Sequence, residues 1–311
     1  VGRPGEDHYA NRVVTAWGVD GHNSHTNVCS AAARTGYYLW AGFDRPSPDY
    51  ANARAIVLIS SHLETGHYFN PHAQRIIEAK SRGAKLIVLD TRLSNTATHA
   101  DFWLATQPGS EAAVILSIAN YLITNHLYDA DYVERYGFGF DAFRAGISRY
   151  TPEWAYPKTS IHPDLIRETA REMARHRPAT LVHPGRHVTW YGDDTQRSRA
   201  VAMLNALLGS WNRKGGFYIP EKVKLPSYPL PEYPKPKYTT ADAYPGKWPF
   251  APQGVTNGVI DASIGEDAFF KGWLVYGTNL PQTIPGVAAK LEAAANSLEL
   301  LAVVETMPSE M

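Results

Sequence analysis

The sequence predicts an α/β fold built on doubly wound, mostly parallel sheets. Short apolar, β-branched runs such as AIVLISS at 55–61 and KLIVLDT at 85–91 are typical of strands buried on both faces. Each of these runs ends in small polar or charged residues, and a helical pattern follows it. Because strand, loop and helix recur in this order, the strands are expected to be parallel and joined by right-handed crossovers.

The remaining elements follow from the same patterns. The helix at 71–82 begins with Pro71 and is closed by Gly83. The loop QPGSE at 107–111 opens a long apolar helix. Further helices are predicted at 29–40, 162–176, 195–211 and 286–298, and further strands at 101–106, 179–186, 271–276 and 298–306.

The composition excludes several classes of protein. Hydrophobic residues make up 44% of the 311 residues and charged residues 19%, which is sufficient for a substantial core. Lys plus Arg equals Asp plus Glu, 30 each, so the charge indicates no nucleic-acid partner. No apolar stretch approaches the ~18 residues that a membrane-spanning helix needs. The single cysteine excludes an internal disulfide.

A stretch at 220–252 differs in composition from the rest of the chain. It is dense in Pro and Tyr, which excludes regular helix and central strand. It is expected to be either a stiff linker or an ordered excursion over a neighbouring domain or subunit. The chain starts without Met and stops directly after an expected core strand, so we expect an interior piece of a longer polypeptide.

The only cysteine, Cys29, lies at the predicted mouth of a helix. Unpaired backbone N–H groups there favour the thiolate, which binds metals or attacks electrophiles. A buried structural cysteine is the alternative. His22 and His25 nearby raise the option of a cysteine hydrolase, but no orienting partner or oxyanion loop accompanies them.

Ligands of parallel α/β sheets bind outside the carboxyl ends of the strands. Asp90, at the end of a strand, is suited to accept from a ribose hydroxyl, and Gly109-Ser110 at a helix start is suited to phosphate. Glu111 is suited to accept from a guanine-type N–H edge. For the loop at Asp90 and the loop at Gly109-Ser110-Glu111, helix capping is the alternative interpretation. GxGxxG, Walker A, HExxH and CxxC motifs are absent. The five strand-end loops are Ser60-Ser61-His62, Asp90-Thr91-Arg92, Gln107–Glu111, Gly185-Arg186-His187 and Gly277-Thr278-Asn279.

Several of these segments resemble one known family. NVCSAAARTGY, AIVLISSHLE, EAKSRGAKLIVLDTR, ADFWLATQPGSE and YGTNLPQT are similar, in this order, to molybdopterin oxidoreductases of the dimethyl sulfoxide reductase type. The run PGRHVTWYGDDTQRSRAVAMLNALLGSWNRKGGF resembles the polysulfide, thiosulfate and tetrathionate reductase branch, where arsenate reductases and sulfite dehydrogenases also lie. The resemblance covers nearly the whole chain except the Pro-rich stretch.

The resemblance implies a cofactor and assigns residues to it. Molybdenum, or tungsten, would be held by two molybdopterin guanine dinucleotides, with Cys29 as the protein ligand. Arg186 and His187 would hold an anionic substrate as further catalytic residues. The cofactor-binding residues would be Ser60, Ser61, His62, Glu64, Asp90, Thr91, Arg92, Gln107, Gly109, Ser110, Glu111, Gly185, Gly277, Thr278 and Asn279.

The resemblance also implies two Rossmann-like domains. Residues 26–216 would form the pterin-nucleotide domain, and residues 1–25 with 217–311 a second, discontinuous one. A [4Fe–4S] cluster is expected in the missing N-terminal part. An iron–sulfur electron-transfer subunit, and as a further option a membrane-anchor subunit, are the expected partners in a periplasmic, membrane-associated complex.

The implied reaction is oxo or sulfur atom transfer on a small inorganic sulfur compound or oxyanion. Arsenate reduction and sulfite oxidation are alternatives within the family. A degenerate, metal-free structural subunit of a respiratory complex is the alternative from another class. A middle domain of a thiamine-diphosphate enzyme has a similar pattern around ATLVHPGRH but does not account for Cys29.

Overall fold

The chain forms two compact units, Cys29–Lys224 and a discontinuous unit of Val1–Val28 with Leu225–Met311. The family resemblance predicts the corresponding boundaries after residues 25 and 216. The computed structural model describes residues 12–14, 16–18, 31–43, 46–63, 70–184, 192, 194–221, 232–248, 256–284 and 286–311.

A four-stranded parallel sheet lies at the centre of the larger unit. The described strands of this unit are β1 (Ser47–Pro48), β2 (Ala55–Ile59), β3 (Lys85–Leu89), β4 (Phe102–Leu104), β5 (Thr180–Pro184) and β6 (Phe217–Tyr218). The parallel sheet has the order β4–β3–β2–β5, and β1 pairs with β6 in a separate antiparallel pair. β2 is buried along its whole length, as its continuous apolar run predicts. The predicted α/β fold class is confirmed.

Helices connect and cover the strands of the larger unit. They are α1 (Ala31–Ala41), α2 (Asn70–Ser81), α3 (Asn95–Thr98), α4 (Glu111–Thr124), α5 (Ala130–Tyr136), α6 (Phe140–Ile147), α7 (Pro152–Thr159), α8 (Pro163–Arg175) and α9 (Asp194–Leu207), with a 3₁₀ turn at Tyr50–Asn52. Some of them start with ordinary capping chemistry. The hydroxyl of Thr151 accepts from the N–H of Trp154, with Pro152 in the first turn of α7.

Helices α1 and α9 approach closely at Gly36. A methyl group in place of the Gly36 hydrogen would lie 2.6 Å from the carbonyl oxygen of Thr195 and 2.7 Å from Cβ of Ser198. Both distances are shorter than real Cβ contacts, so only glycine fits at this crossing. The contact fixes α1, which begins two residues after Cys29 in the sequence, on α9.

The smaller unit has its own core and its own parallel strand pair. β7 (Gly272–Tyr276) pairs with β8 (Leu300–Val304), and the described helices include α10 (Thr256–Asp261), α11 (Leu280–Thr283) and α12 (Ala288–Ser297). Trp273 lies in the core, where its indole N–H donates to the Ser263 hydroxyl at 2.9 Å. The predicted strands at 271–276 and 298–306 are present, but Leu300 and Val304 of β8 are exposed.

The Pro-rich stretch is described over residues 232–248, where it contains turns but neither helix nor strand. This agrees with its proline content. The Tyr244 hydroxyl donates to the carbonyl of Gly258 and so ties the stretch to the smaller unit. Among the described helices, none is long and apolar enough to cross a membrane.

Candidate cofactor-binding site

The carboxyl ends of β2, β3 and β4 lie at one edge of the sheet. Ile59 pairs with Leu89, and Leu89 pairs with Leu104, so these strands end level with one another. The loops that begin at Ser60 and Asp90 therefore start side by side, as the sequence predicts. The Ser60 N–H donates to the Leu89 carbonyl at 2.9 Å and joins the two loop starts directly.

The backbone at Ser60 adopts an uncommon conformation. Its φ of 50° lies in the left-handed region, which non-glycine residues rarely occupy. The turn leads into Ser61, which is fully buried. The Ser61 hydroxyl has no hydrogen-bond partner within the described residues. A buried hydroxyl without a partner is costly, so it is available to a polar ligand group at this edge.

Asp90 is held in a defined orientation. The carboxylate is 6% exposed and accepts from the Ser94 hydroxyl at 2.8 Å and from the Arg92 N–H at 3.4 Å. Nε2 of His62 lies 3.9 Å from the carboxylate oxygen Oδ2. The Trp103 indole N–H donates to the Asp90 carbonyl at 3.1 Å. Residues at or near the carboxyl ends of β2, β3 and β4 thus meet at Asp90.

Two residues that sequence reasoning missed support this group. Ser94 caps α3, where its hydroxyl accepts from the N–H of Ala97 at 3.3 Å while also donating to Asp90. The hydroxyl of Thr96 accepts from the N–H of Leu63 at 3.1 Å. The run SNTAT at 94–98 carries a serine at a helix start, a signal that could have identified Ser94. Thr91 and Arg92, predicted with Asp90, are exposed.

The loop Gln107–Glu111 follows β4 and opens α4. Gly109 has φ 80°, a conformation that favours glycine. The Ser110 hydroxyl donates to the Gln107 carbonyl at 2.7 Å and makes no cap to the helix. Ser110 therefore occupies the capping position that the sequence indicates, but its hydroxyl bonds to a carbonyl within the loop and not to an N–H of the helix. The Gln107 side chain donates to the Ser160 hydroxyl at 2.9 Å, which anchors the loop on the end of α7.

Glu111 is buried and faces Arg197 of α9. Oε2 of Glu111 lies 3.5 Å from Nε of Arg197, and the two side chains are 1% and 5% exposed. The same guanidinium donates to the carbonyls of Gly192 at 3.1 Å and Gly109 at 3.5 Å. Sequence reasoning did not select Arg197, because an arginine at a helix start gives no local sign of burial.

Three predicted residues lie in the smaller unit. Gly277 ends β7 with φ 63°, and Thr278 follows it. Asn279 precedes α11, and its side-chain amide donates to the Glu310 carboxylate. That hydrogen bond, foremost among several, lowers the pKa of Glu310 below its ordinary value. The structure describes these residues only within their own unit.

The remaining predicted residues, Cys29, Glu64, Gly185, Arg186 and His187, lie outside the described residues, as do His22 and His25. Within the part of the chain that the structure describes, no cluster of three or more His, Cys, Asp or Glu side chains could hold a metal ion. The expected metal ligand is Cys29, and the described edge is the expected site of the nucleotide.

Comparison with solved structures identifies a similar fold. Acetylene hydratase from Pelobacter acetylenicus matches 65% of this chain and 27% of its own length, with a TM-score of 0.58 and 24% identity. At this identity the likeness concerns the fold alone.

Comparison of sequences identifies the family. The thiosulfate reductase molybdopterin-containing subunit PhsA of Salmonella typhimurium is 29% identical over 289 residues, covering 88% of this chain and 38% of that protein. The probable dimethyl sulfoxide reductase chain YnfF of Escherichia coli is 32% identical, over 63% of this chain and 27% of its own length. The chain thus spans well under half of these relatives. The molybdopterin oxidoreductase family matches residues 7–221. The chain therefore belongs to the molybdopterin oxidoreductase family.

Proposed function

We propose that this chain is part of the catalytic subunit of a molybdenum- or tungsten-dependent oxidoreductase. The observation that carries the proposal is the polar edge formed by Ser61, Asp90 and the Gln107–Glu111 loop at the carboxyl ends of parallel strands. Such an edge is where α/β sheets bind nucleotides. Membership of the molybdopterin oxidoreductase family supports a pterin cofactor as the source of that nucleotide.

The described residues fit the nucleotide end of a molybdopterin guanine dinucleotide. The Asp90 carboxylate is oriented by Ser94 and is suited to accept from ribose hydroxyls. The loop at Gly109-Ser110 opens the 14-residue helix α4, whose start favours phosphate. The buried Ser61 hydroxyl offers one further polar contact. The Glu111 carboxylate, proposed to accept from the guanine edge, faces Arg197.

The metal end of the cofactor is assigned to residues outside the described ones. Cys29 would be the protein ligand, because a soft thiolate suits a soft, redox-active metal. When bound, the cofactor supplies the two-electron redox and atom-transfer chemistry. Arg186 and His187 would hold an anionic substrate by charge-assisted hydrogen bonds.

An inorganic sulfur compound such as thiosulfate, tetrathionate or polysulfide is the proposed substrate. Support comes from PhsA, a relative named as a thiosulfate reductase subunit, whose similarity extends over 88% of this chain. Arsenate is the second candidate. The arsenate respiratory reductase subunit ArrA of Shewanella is 28% identical over 65% of the chain. Sulfite oxidation is the third reaction to be assayed.

The names of the relatives also support a multi-subunit setting, since PhsA and ArrA are each called a molybdopterin-containing subunit. We propose an iron–sulfur subunit as electron partner, a [4Fe–4S] cluster elsewhere in the same polypeptide and a periplasmic, membrane-associated location. Purification of the native complex, with peptide sequencing of its subunits, tests these partners.

Cofactor analysis of the full-length protein tests the proposal. We expect molybdenum or tungsten together with GMP released by acid hydrolysis. Asp90→Ala should lower the GMP content, because it removes the oriented carboxylate. Asp141→Asn, which changes a carboxylate that is 85% exposed on α6, should leave it unchanged. Wild-type protein without metal and pterin would favour the metal-free structural subunit instead.

A further inference from the structure

Arg197 connects α9 to the loop that opens α4. The residue is 4% exposed, although arginine is seldom buried. Within the described residues its guanidinium reaches three groups: the carboxylate of Glu111, the carbonyl of Gly109 and the carbonyl of Gly192. Two of these three groups belong to the loop proposed to receive the nucleotide phosphates.

Stability alone is a weak reason for this arrangement. Burying a guanidinium and a carboxylate removes both from water, and apolar replacements of similar volume are often equally stable. What a buried, planar guanidinium does provide is a fixed set of donor directions. The arrangement is thus better suited to fixing the geometry of the loop than to stabilising the fold.

The peptide between Gly109 and Ser110 is fixed on both sides. Its carbonyl accepts from Arg197 at 3.5 Å, and its N–H donates to the carbonyl of Gln107 at 3.1 Å. Because the peptide unit is planar, holding both ends sets the orientation of the whole unit. That unit leads directly into the first turn of α4.

Helix α9, which carries Arg197, is itself held in place. The next residue, Ser198, is fully buried and packs against Gly36 of α1, where there is no room for a methyl group. Arg197 therefore extends from a tightly packed element, so the base of its side chain has a fixed position.

We propose that Arg197 is a positioning residue that sets the Gly109-Ser110 peptide and the Glu111 carboxylate for binding of the cofactor's nucleotide. The proposal rests on the proposed function. Arg197 acts through the loop, since its guanidinium contacts the Gly109 carbonyl and the Glu111 carboxylate. Removing it should leave the fold but loosen the loop, and the cofactor should dissociate faster.

The test uses full-length holoenzyme with Arg197→Gln, Arg197→Lys and the control Arg213→Gln. Arg213 follows α9 and pairs with Asp129 at 2.6 Å, and neither residue belongs to the strand-end loops. Two quantities are measured: the rate of GMP-containing cofactor loss on dilution, and hydrogen exchange of the amides at 107–111. We expect Arg197→Gln to lose cofactor about ten- to a hundredfold faster than the control, because a charged hydrogen-bond donor is missing. Arg197→Lys keeps the charge but not the planar fork and should be intermediate.

The outcomes separate the two proposals. The positioning role would be overturned if the rates of cofactor loss and amide exchange in Arg197→Gln were within about twofold of those in Arg213→Gln. The loss of a charged donor should change these rates about tenfold or more. If Arg197→Gln does not fold, wild-type values in Arg197→Lys would overturn it equally. Wild-type protein without GMP would overturn the proposed function. If the wild type lacks GMP but the amides at 107–111 still exchange faster in Arg197→Gln than in the control, Arg197 orders the loop for some other ligand.

Discussion

At Gly36, the absence of a side chain lets two helices come into contact. A Cβ there would approach the Thr195 carbonyl oxygen to 2.6 Å, and a backbone oxygen cannot move aside as a flexible side chain can. The contact matters because α1 follows Cys29 in the sequence and α9 carries Arg197. One residue thus determines how closely these two elements pack.

Gly36→Ala should therefore destabilise the protein. We expect a loss of about 1–3 kcal/mol in the free energy of unfolding, because the added methyl overlaps atoms of α9. Urea denaturation followed by circular dichroism measures it.

Gly146→Ala is the matched control. Gly146 lies in helix α6, and nothing lies within 4 Å of a Cβ built there. Alanine is the better helix former, so this variant should gain up to about 1 kcal/mol. Equal effects of the two substitutions would contradict the close approach at Gly36.

Cys29 is the residue on which the proposed chemistry depends. Cys29→Ala should leave the circular dichroism spectrum and melting temperature near those of the wild type, while turnover with reduced dye and thiosulfate is abolished. Full activity with normal metal content in this variant would rule out Cys29 as the metal ligand.

At the scale of elements, the two edges of the parallel sheet differ in their chemistry. The carboxyl edge carries the polar residues of the candidate site. The opposite edge carries Asp101, which accepts from the Leu86 N–H at 2.9 Å and contacts Lys80 at 2.7 Å and Lys85 at 3.3 Å. Burial would raise the pKa of Asp101, but these contacts outweigh it, and the pKa lies below its ordinary value of 3.8. This carboxylate therefore joins the starts of β3 and β4 and the end of α2.

Asp101→Asn should destabilise the protein by about 1–3 kcal/mol at neutral pH, the range for hydrogen bonds to a charged group. Because the folded pKa is lowered, the contribution is present above the unfolded value of 3.8 and is lost as the pH falls through the folded value. Urea denaturation of both proteins between pH 7 and about 3 should show the difference shrinking only at the acid end.

The exposed Asp141→Asn serves as the comparison for this series. Its surface ion pair with Arg144 should contribute less than about 1 kcal/mol. If the loss in the free energy of unfolding caused by Asp101→Asn stays constant down to the lowest pH, the ionised carboxylate is not its source.

The sequence was most informative about elements with continuous apolar runs. The strands at 55–61 and 85–91 were predictable because strands buried on both faces have continuous apolar runs. The polar residues at the ends of these runs identified Ser60, Ser61 and Asp90. Long-range pairing was not predictable. Nothing within QRSR indicates that Arg197 contacts a loop more than eighty residues away. Likewise, Ser110 was identified as a capping residue, but local sequence does not reveal that its hydroxyl bonds Gln107.

At the scale of the whole molecule, one apolar surface stands out in the smaller unit. β8 consists of LLAVV, yet Leu300 and Val304 are 62% and 61% exposed. Parallel strands are normally covered on both faces, and exposed apolar strands promote association.

The 311-residue chain should therefore self-associate, and Val304→Lys should reduce this. Light scattering at increasing protein concentration measures the association. Asn296→Lys, on the exposed side of α12, makes the same change in charge and should have a smaller effect. Monomeric wild-type chain at all concentrations would contradict the expectation.

The central claim is that this chain supplies the protein ligand of a pterin-bound metal centre. X-ray absorption at the molybdenum or tungsten edge of full-length wild type and Cys29→Ser tests it most directly. The account predicts that the wild type has one more sulfur ligand than the variant. Protein without either metal, or the same number of sulfur ligands in both proteins, would contradict it.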